Sequence, residues 1–308
     1  MIHPPAFQIK VPGSTSNLGP GFDSIGMAVN RYLVLDARQA DRWQFNYVDQ
    51  PDFHPPVAEN LIYRTAKKLA EHFQASLPPY EITVHSDIPL ARGLGSSGAA
   101  IISGIELADF LLDLKLSIEE KSWLACRTEG HPDNVTASLY GGLVISTQST
   151  AAVHSVKLPV PDFDFVTLIP DFELKTSDAR HVLPDVLPFH QAIEGSSVAN
   201  VLICALLSHN GKLAGQMMES DHFHQPYRAK LIPDLEGISS LAKSAGAFGT
   251  FLSGAGPTVM CLAPQGKSSA IKEKLQTAFP NDICVTLHPV SEGAVSKVTE
   301  AVPRTEDQ

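Results

Sequence analysis

The sequence predicts an α+β fold built as two units that meet near residue 155. Three observations carry this. The chain has 308 residues, enough for one large domain or two of ordinary size. Stretches that alternate apolar and polar side chains are interleaved with stretches of helical period. The composition also shifts in "VKLPVPDFDFVTLIPDFEL", where Pro159, Pro161 and Pro170 mark a crossing between units.

The elements follow in order. Residues 7–11 and 31–37 read as strands separated by the loop "PGSTSNLGPGFDSIGMA" (12–28), whose four glycines and two prolines constrain the backbone. Residues 60–75 show helical period through Leu61, Ile62, Ala66, Leu69 and Phe73. "YEITVHS" (80–86) alternates Tyr80, Ile82 and Val84 with polar neighbours, a half-buried strand. From Ser97 a helix carries Ile101, Ile102, Ile105, Ala108 and Leu112 on one stripe. A further helix covers 117–129 and ends near Gly130, and "GGLVIST" (141–147) reads as a strand. Beyond the crossing, helices are predicted over 190–208, 210–219, 236–245 and 267–278. Residues 247–263 read as strand–turn–strand and 283–288 as a strand, and the polar tail "TEAVPRTEDQ" is expected to fray. No internal repeat is visible.

Composition excludes several functions. With 33 acidic against 23 basic residues the net charge is −10, and no Lys/Arg run occurs, so a general nucleic-acid or anionic-membrane binder is excluded. Cys126, Cys204, Cys261 and Cys284 lie far apart without a CxxC pair, which argues against disulfides and zinc and suits a reducing cytoplasm. "MIHPPAFQIKVPG" has no signal-peptide pattern, and "VANVLICALL" (198–207) is too short to span a bilayer. A cytoplasmic protein is expected. His222 and His224 in "DHFHQ" fall on different sides of a helix at that spacing, so they are read as surface residues.

The most informative stretch is "IPLARGLGSSGAA" (88–100). "GLGSSG" satisfies a dinucleotide pattern by letter, but Pro89, Leu90, Ala91 and Arg92 separate its first glycine from the strand. No acid at the tip of a second strand follows at the required distance. "QGKSS" (265–269) fails as a phosphate loop because Cys261 stands where its first glycine belongs. Two readings remain for the 93–98 turn. Ser96 or Ser97 caps the following helix, or the turn's amides and the helix dipole cradle a phosphate.

Three separated segments bear on that choice. "VPGSTSNLGPGFDSIGMA" (11–28), "IPLARGLGSSGAA" (88–100) and "FGTFLSGAGPTVMCLA" (248–263) resemble, in this order, the three signature motifs of the GHMP small-molecule kinases. Gly98 departs from the Ala or Ser that many members carry there. "EGHPDNVTASLYGG" (129–142), "TSDAR" (176–180) and "PYRAKLIP" (226–233) are similar to segments of the branch that acts on L-homoserine, so the resemblance covers nearly the whole chain.

The resemblance implies a two-domain GHMP kinase fold. Its N-terminal nucleotide-binding domain (1–155) would be like ribosomal protein S5 domain 2, and its C-terminal domain (156–308) ferredoxin-like. It implies transfer of the ATP γ-phosphate to the side-chain hydroxyl of L-homoserine in threonine biosynthesis, with Mg²⁺ and a homodimeric assembly. ATP is expected on Pro89, Leu90, Ala91, Arg92, Gly93, Leu94, Gly95, Ser96, Ser97, Gly98 and Ala99, and Mg²⁺ on Ser97 and Glu129. The substrate pocket is expected from Asn17, Asp23, His131, Thr176, Arg180 and Arg228. Asp23 suits the ammonium, Asn17 either polar end, and the two arginines a forked carboxylate contact. Asp133 and Asn134 stand at the catalytic position. Asn134 would orient the hydroxyl while a phosphate oxygen or solvent takes the proton, as a loose transition state allows. The same fold also serves kinases of other small alcohols, an ATP-dependent decarboxylase and ligand sensors. The arginines with Asp23 favour an amino acid, and the intact glycine turn, Ser97 and Glu129 favour catalysis.

Overall fold

The computed structural model describes residues 4–49 and 53–299. The frayed tail expected from the sequence lies, except for Thr299, outside the described residues. Strands β1 (Ala6–Asn17) and β2 (Gly21–Gln39) form one long antiparallel hairpin. The loop expected over 12–28 is therefore mostly strand: pairing continues from Pro12–Tyr32 to Asn17–Gly21, with register shifts after Pro12 and Ser16. Small residues have little strand propensity of their own, and here close packing overrides it. A Cβ on Gly26 would sit 2.0 Å from the Asp133 carbonyl oxygen, so a later helix rests directly on the ladder.

Strand β3 (Gln44–Tyr47) is followed by α1 (Leu61–His72), whose cap Asn60 accepts from the Ile62 and Tyr63 amides. Next come β4 (Tyr80–Ser86) and α2 (Ser96–Leu112). Helix α3 (Ile118–Glu129) opens on a reciprocal Ser117–Glu120 capping box. Then follow α4 (Asp133–Tyr140), β5 (Leu143–Gln148) and β6 (Val153–Leu158), which pairs with β5 across residue 155.

The proline-rich stretch contains β7 (Asp164–Ile169), buried along its whole length. Five helices follow it: α5 (Thr176–His181), α6 (Phe189–Leu207), α7 (Gly211–Glu219), α8 (Gln225–Arg228) and α9 (Leu235–Ser244). The course closes with β8 (Gly249–Leu252), β9 (Val259–Ala263), α10 (Ser268–Ala278) and β10 (Ile283–Leu287). These strands make an antiparallel sheet ordered β10-β7-β9-β8, the ferredoxin-like arrangement. The chain then returns to the first sheet, where β11 (Val295–Val298) pairs with β1. That sheet runs β11-β1-β2-β4-β3, with β5 on β2 and β6 on β5; its β3–β4 pair is parallel.

The main apolar core is shared by both halves, joining Phe7, Ile9 and Ile102 to Phe165, Leu202 and Phe251. The alternate side chains of β7, Val166 and Leu168, enter a smaller core with Ile238 and Leu275. Among the described residues no helix is long and apolar enough to cross a membrane.

Candidate active site

The three glycine-rich segments meet where the halves join. Ser14 N donates to Leu94 O at 3.2 Å, and Gly254 N donates to Ser16 O at 3.1 Å. Ser253 Oγ lies 2.6 Å from Gly93 O and 2.8 Å from Thr15 Oγ1. A Cβ on Gly93 would sit 2.2 Å from Ser253 O, so the backbones are in contact with no room for a side chain.

Gly95, with φ 74°, occupies the cap position of α2. Ser96 and Ser97 fall in the first helical turn, so the serine cap considered from the sequence is not made. A glycine offers no side-chain acceptor, which leaves the opening amides of a long helix without a side-chain cap and, with the helix dipole, able to receive an anion. Ser97 Oγ instead donates to Glu129 Oε2 at 2.9 Å. Burial pushes the Glu129 carboxyl above the ordinary range, partly offset by the His131 charge and the Ser97 hydrogen bond. Arg92, a residue of the same turn, is pinned by the carbonyls of Pro170, Leu90 and Asp171 and by Glu173 at 3.3 Å. Its guanidinium fastens the turn to the end of β7. Gly98 faces Asn134, and neither Gly98 nor Ala99 reaches a cavity wall.

A cavity of about 110 Å³ opens beside this turn and collects every substrate and catalytic residue expected from the sequence. The Arg180 guanidinium grips Asp23 with both nitrogens, at 2.7 and 3.1 Å. His131 Nδ1 lies 2.7 Å from Asp133 Oδ1. Burial alone would lower His131, but its hydrogen bond to Asp133 and that charge outweigh it, and the imidazole titrates above its ordinary value. Burial would raise Asp133, yet His131 and the Asn134 amide hold it below the usual carboxylate range. Asp133 is therefore a weak proton acceptor. Asn134 Oδ1 accepts from Ser14 Oγ at 2.9 Å while its Nδ2 donates to Ser16 Oγ at 3.0 Å, so its amide orientation is fixed. Asn17 Nδ2 donates to Gly254 O and its Oδ1 accepts from Asp23 N, which clamps the β1–β2 turn to the 253–257 turn. Asp23, His131 and Asp133 bring potential ligand atoms within 4.8 Å of one another, but each is already engaged in these ion pairs.

Arg228 is 2 % exposed. Its Nε donates to Ala179 O, and its Nη1 lies 3.1 Å from both Gly254 O and His224 Nδ1. Only Nη2 is left for a ligand, so the forked contact expected of this arginine is reduced to one nitrogen. Phe22 lies under both guanidinium groups, 5.5 Å from Arg180 and 5.2 Å from Arg228.

His224 corrects the sequence reading. Residues 221–224 form a turn before α8, closed by Asp221 accepting from the Phe223, His224 and Gln225 amides. His224 is wholly buried, whereas His222 is partly exposed beside Glu194.

A second cavity, about 400 Å³, adjoins the first across Ser96, Ser97 and Thr176. Tyr47, Phe53, Leu61 and Leu90 line it, a mostly apolar space suited to the flat face of a base. The sequence reading did not find Tyr47 or Phe53, which lie outside every motif. It also passed over Phe22, although that residue stands next to Asp23 within the first motif.

Comparison with known proteins adds to this geometry. The profile of the GHMP kinases N terminal domain matches residues 60–142, and that of the GHMP kinases C terminal domain matches residues 202–281. The homoserine kinase of Bacillus pumilus is 50% identical over 276 residues, 89% of each chain. A solved structure from Listeria monocytogenes superposes with a TM-score of 0.82 at 40% identity, over 94% of this chain and 99% of that one. The homoserine kinase of Cytophaga hutchinsonii superposes with a TM-score of 0.83 at 26% identity, over 96% and 99%.

Proposed function

This chain belongs to the GHMP kinase family, and on that premise we propose that it transfers the γ-phosphoryl group of ATP to the side-chain hydroxyl of L-homoserine, yielding O-phospho-L-homoserine and ADP in the route to threonine. One observation carries the reading. A set of charges suited to a free amino acid, Asp23 with Arg180 and Arg228, lines the same small cavity as the glycine turn and Ser97. A sugar or mevalonate carries no ammonium to take the place of the Arg180 guanidinium on Asp23.

ATP lies with its base among Tyr47, Phe53 and Leu61 and its phosphates over the 93–97 turn, the residues up to about 155 supplying most of this side and Leu174, Lys175 and Thr176 the rest. The remainder of the chain supplies Thr176, Arg180 and Arg228. The ammonium goes to Asp23 and the carboxylate to Arg180 and to Nη2 of Arg228, so the substrate replaces the Asp23–Arg180 pair charge for charge. Asn134 Oδ1 keeps a lone pair beyond its bond from Ser14, enough to accept from the substrate hydroxyl and fix its direction. The hydroxyl oxygen forms the new bond to phosphorus as the bond to the ADP oxygen breaks, and the proton passes to a phosphate oxygen or solvent.

Ser97 Oγ and Glu129 Oε2 lie 2.9 Å apart, a hydroxyl and a carboxylate of the hard-oxygen kind that Mg²⁺ prefers. These residues would hold the ion, whose charge neutralises the phosphates. We place the enzyme in the cytoplasm as a homodimer. Phe189 and Ile193, 83% and 55% exposed on the nearly uncharged α6, support a second copy as partner.

The test is turnover of Mg-ATP by the purified protein against L-homoserine, L-threonine, mevalonate and galactose, followed by ³¹P NMR. A phosphoester from homoserine alone is expected. ADP formed only with another alcohol would overturn the substrate reading.

A further inference from the structure

We propose that His224 is a positioning residue: as a neutral imidazole it fixes the buried Arg228 guanidinium so that Nη2 faces the substrate carboxylate. This rests on the placement of Arg228 in the substrate pocket argued above. His224 itself lines neither of the two cavities and touches no ligand position.

The wiring follows from donor and acceptor chemistry. An arginine has donors only, so the contact at 3.1 Å between Arg228 Nη1 and His224 Nδ1 requires an unprotonated Nδ1. The proton then sits on Nε2, which lies 2.9 Å from the Gly19 carbonyl oxygen and 3.4 Å from Asp221 Oδ2. Both ring nitrogens are thereby committed. Burial, reinforced by the Arg228 charge, pulls the imidazole down to about 4, so this tautomer persists at neutral pH.

The ring face is used as well. Phe22 stacks on His224 at 5.4 Å between centroids, and the same Phe22 lies under both pocket arginines. Gly19 lies in the β1–β2 turn and Phe22 at the start of β2, whereas His224 immediately precedes α8 and Arg228 is its last residue. A single buried side chain therefore ties the tip of the β1–β2 hairpin, where Asp23 sits, to the helix that carries Arg228. Gly19 has no room to shift toward α7, since a Cβ there would lie 2.2 Å from Met218 O.

Two substitutions separate the two nitrogens. In His224→Asn the amide oxygen falls near the Nδ1 position and keeps the acceptor for Arg228. In His224→Gln the amide nitrogen falls near Nε2 and keeps the bond to Gly19, while the Arg228 acceptor is lost. KM for L-homoserine should rise about tenfold in His224→Gln, the size of losing one hydrogen bond to a charged group, with His224→Asn recovering most of it. KM for ATP should stay within a factor of about two in both. Equal rises in both variants, a matching rise in KM for ATP, or lowered melting temperatures with an unchanged homoserine KM would each overturn the proposal. Imidazole ¹⁵N spectra of the wild-type protein test the wiring apart from activity: a proton on Nδ1 of His224 would refute it whatever the variants do. Absence of homoserine turnover by the wild-type enzyme would instead sink the substrate reading and leave the wiring to that spectrum.

Discussion

Gly93→Ala perturbs the point where the 93–97 glycine turn meets the 253–257 turn. Gly93 has φ 76°, and a Cβ would lie 2.2 Å from Ser253 O and 2.9 Å from Gly256 O. Left-handed backbone costs an alanine about 1–2 kcal/mol. Overpacking against backbone, which cannot rotate away as a side chain can, adds about 1–3 kcal/mol. Gly266 supplies the control, because it has φ 70° and nothing within 4 Å of its would-be Cβ. Gly266→Ala therefore carries only the conformational cost, about 1–2 kcal/mol. At about 2 °C per kcal/mol for a chain of this size, melting should fall by about 2–4 °C in Gly266→Ala and about 4–10 °C in Gly93→Ala. Scanning calorimetry on the two variants side by side reads the difference. Equal melting temperatures would mean that the turns absorb the methyl group, and the rigid junction argued above would be wrong.

Asn134→Ala should lower kcat by about a hundredfold with little change in either KM, since the orienting group acts on the hydroxyl as it reacts; wild-type kcat would remove that role. In the metal-free protein the Glu129 carboxyl should titrate above an ordinary carboxylate because burial disfavours its charge, which side-chain carboxyl ¹³C NMR over a pH series reads. Ser97→Ala removes a hydrogen bond that favours the ionised form and should move this metal-free titration further up; a downward move would refute the pairing. Lys121 Nζ lies 2.8 Å from Glu106 and 2.7 Å from Asp109, all three largely buried. Lys121→Met strands two carboxylates and should cost about 3–5 kcal/mol in urea unfolding, and a loss below about 1 kcal/mol would show the pair to be solvated.

Periodicity made α1, α7, α9, α10 and the 80–86 strand legible, because one face of each is buried and the other wetter, while the short helices α4, α5 and α8 span too few turns to show a period. It missed β7, buried on both faces and therefore without alternation. The 12–28 segment was misread for a different reason. Its small residues answer to the Asp133 and Leu94 backbones lying on the ladder, contacts that only the folded chain reveals. In the candidate site the motifs disclosed which charges are present but not how they are spent. That Arg180 grips Asp23, and that Arg228 retains a single free nitrogen, depends on partners distant in sequence. His224 was misplaced because the two-residue spacing was projected onto a helix, whereas Asp221 closes a turn there. Its four-residue offset from Arg228 was the available signal.

Strand β11 gives the molecule a particular order of assembly. β1 leaves the ribosome long before β11, yet one side of its ladder is not covered until Val295–Val298 arrive. On the way, Val290 N reaches Ala28 O, and Lys157 fastens the carbonyls of Tyr140 and Ser291 together. A nascent chain thus carries an open strand edge from the emergence of β1 until that of β11, the kind of edge that recruits wrong partners. Cutting anywhere before residue 295 would leave that edge bare for good, so the N-terminal half is not a module that can be lifted out and used alone.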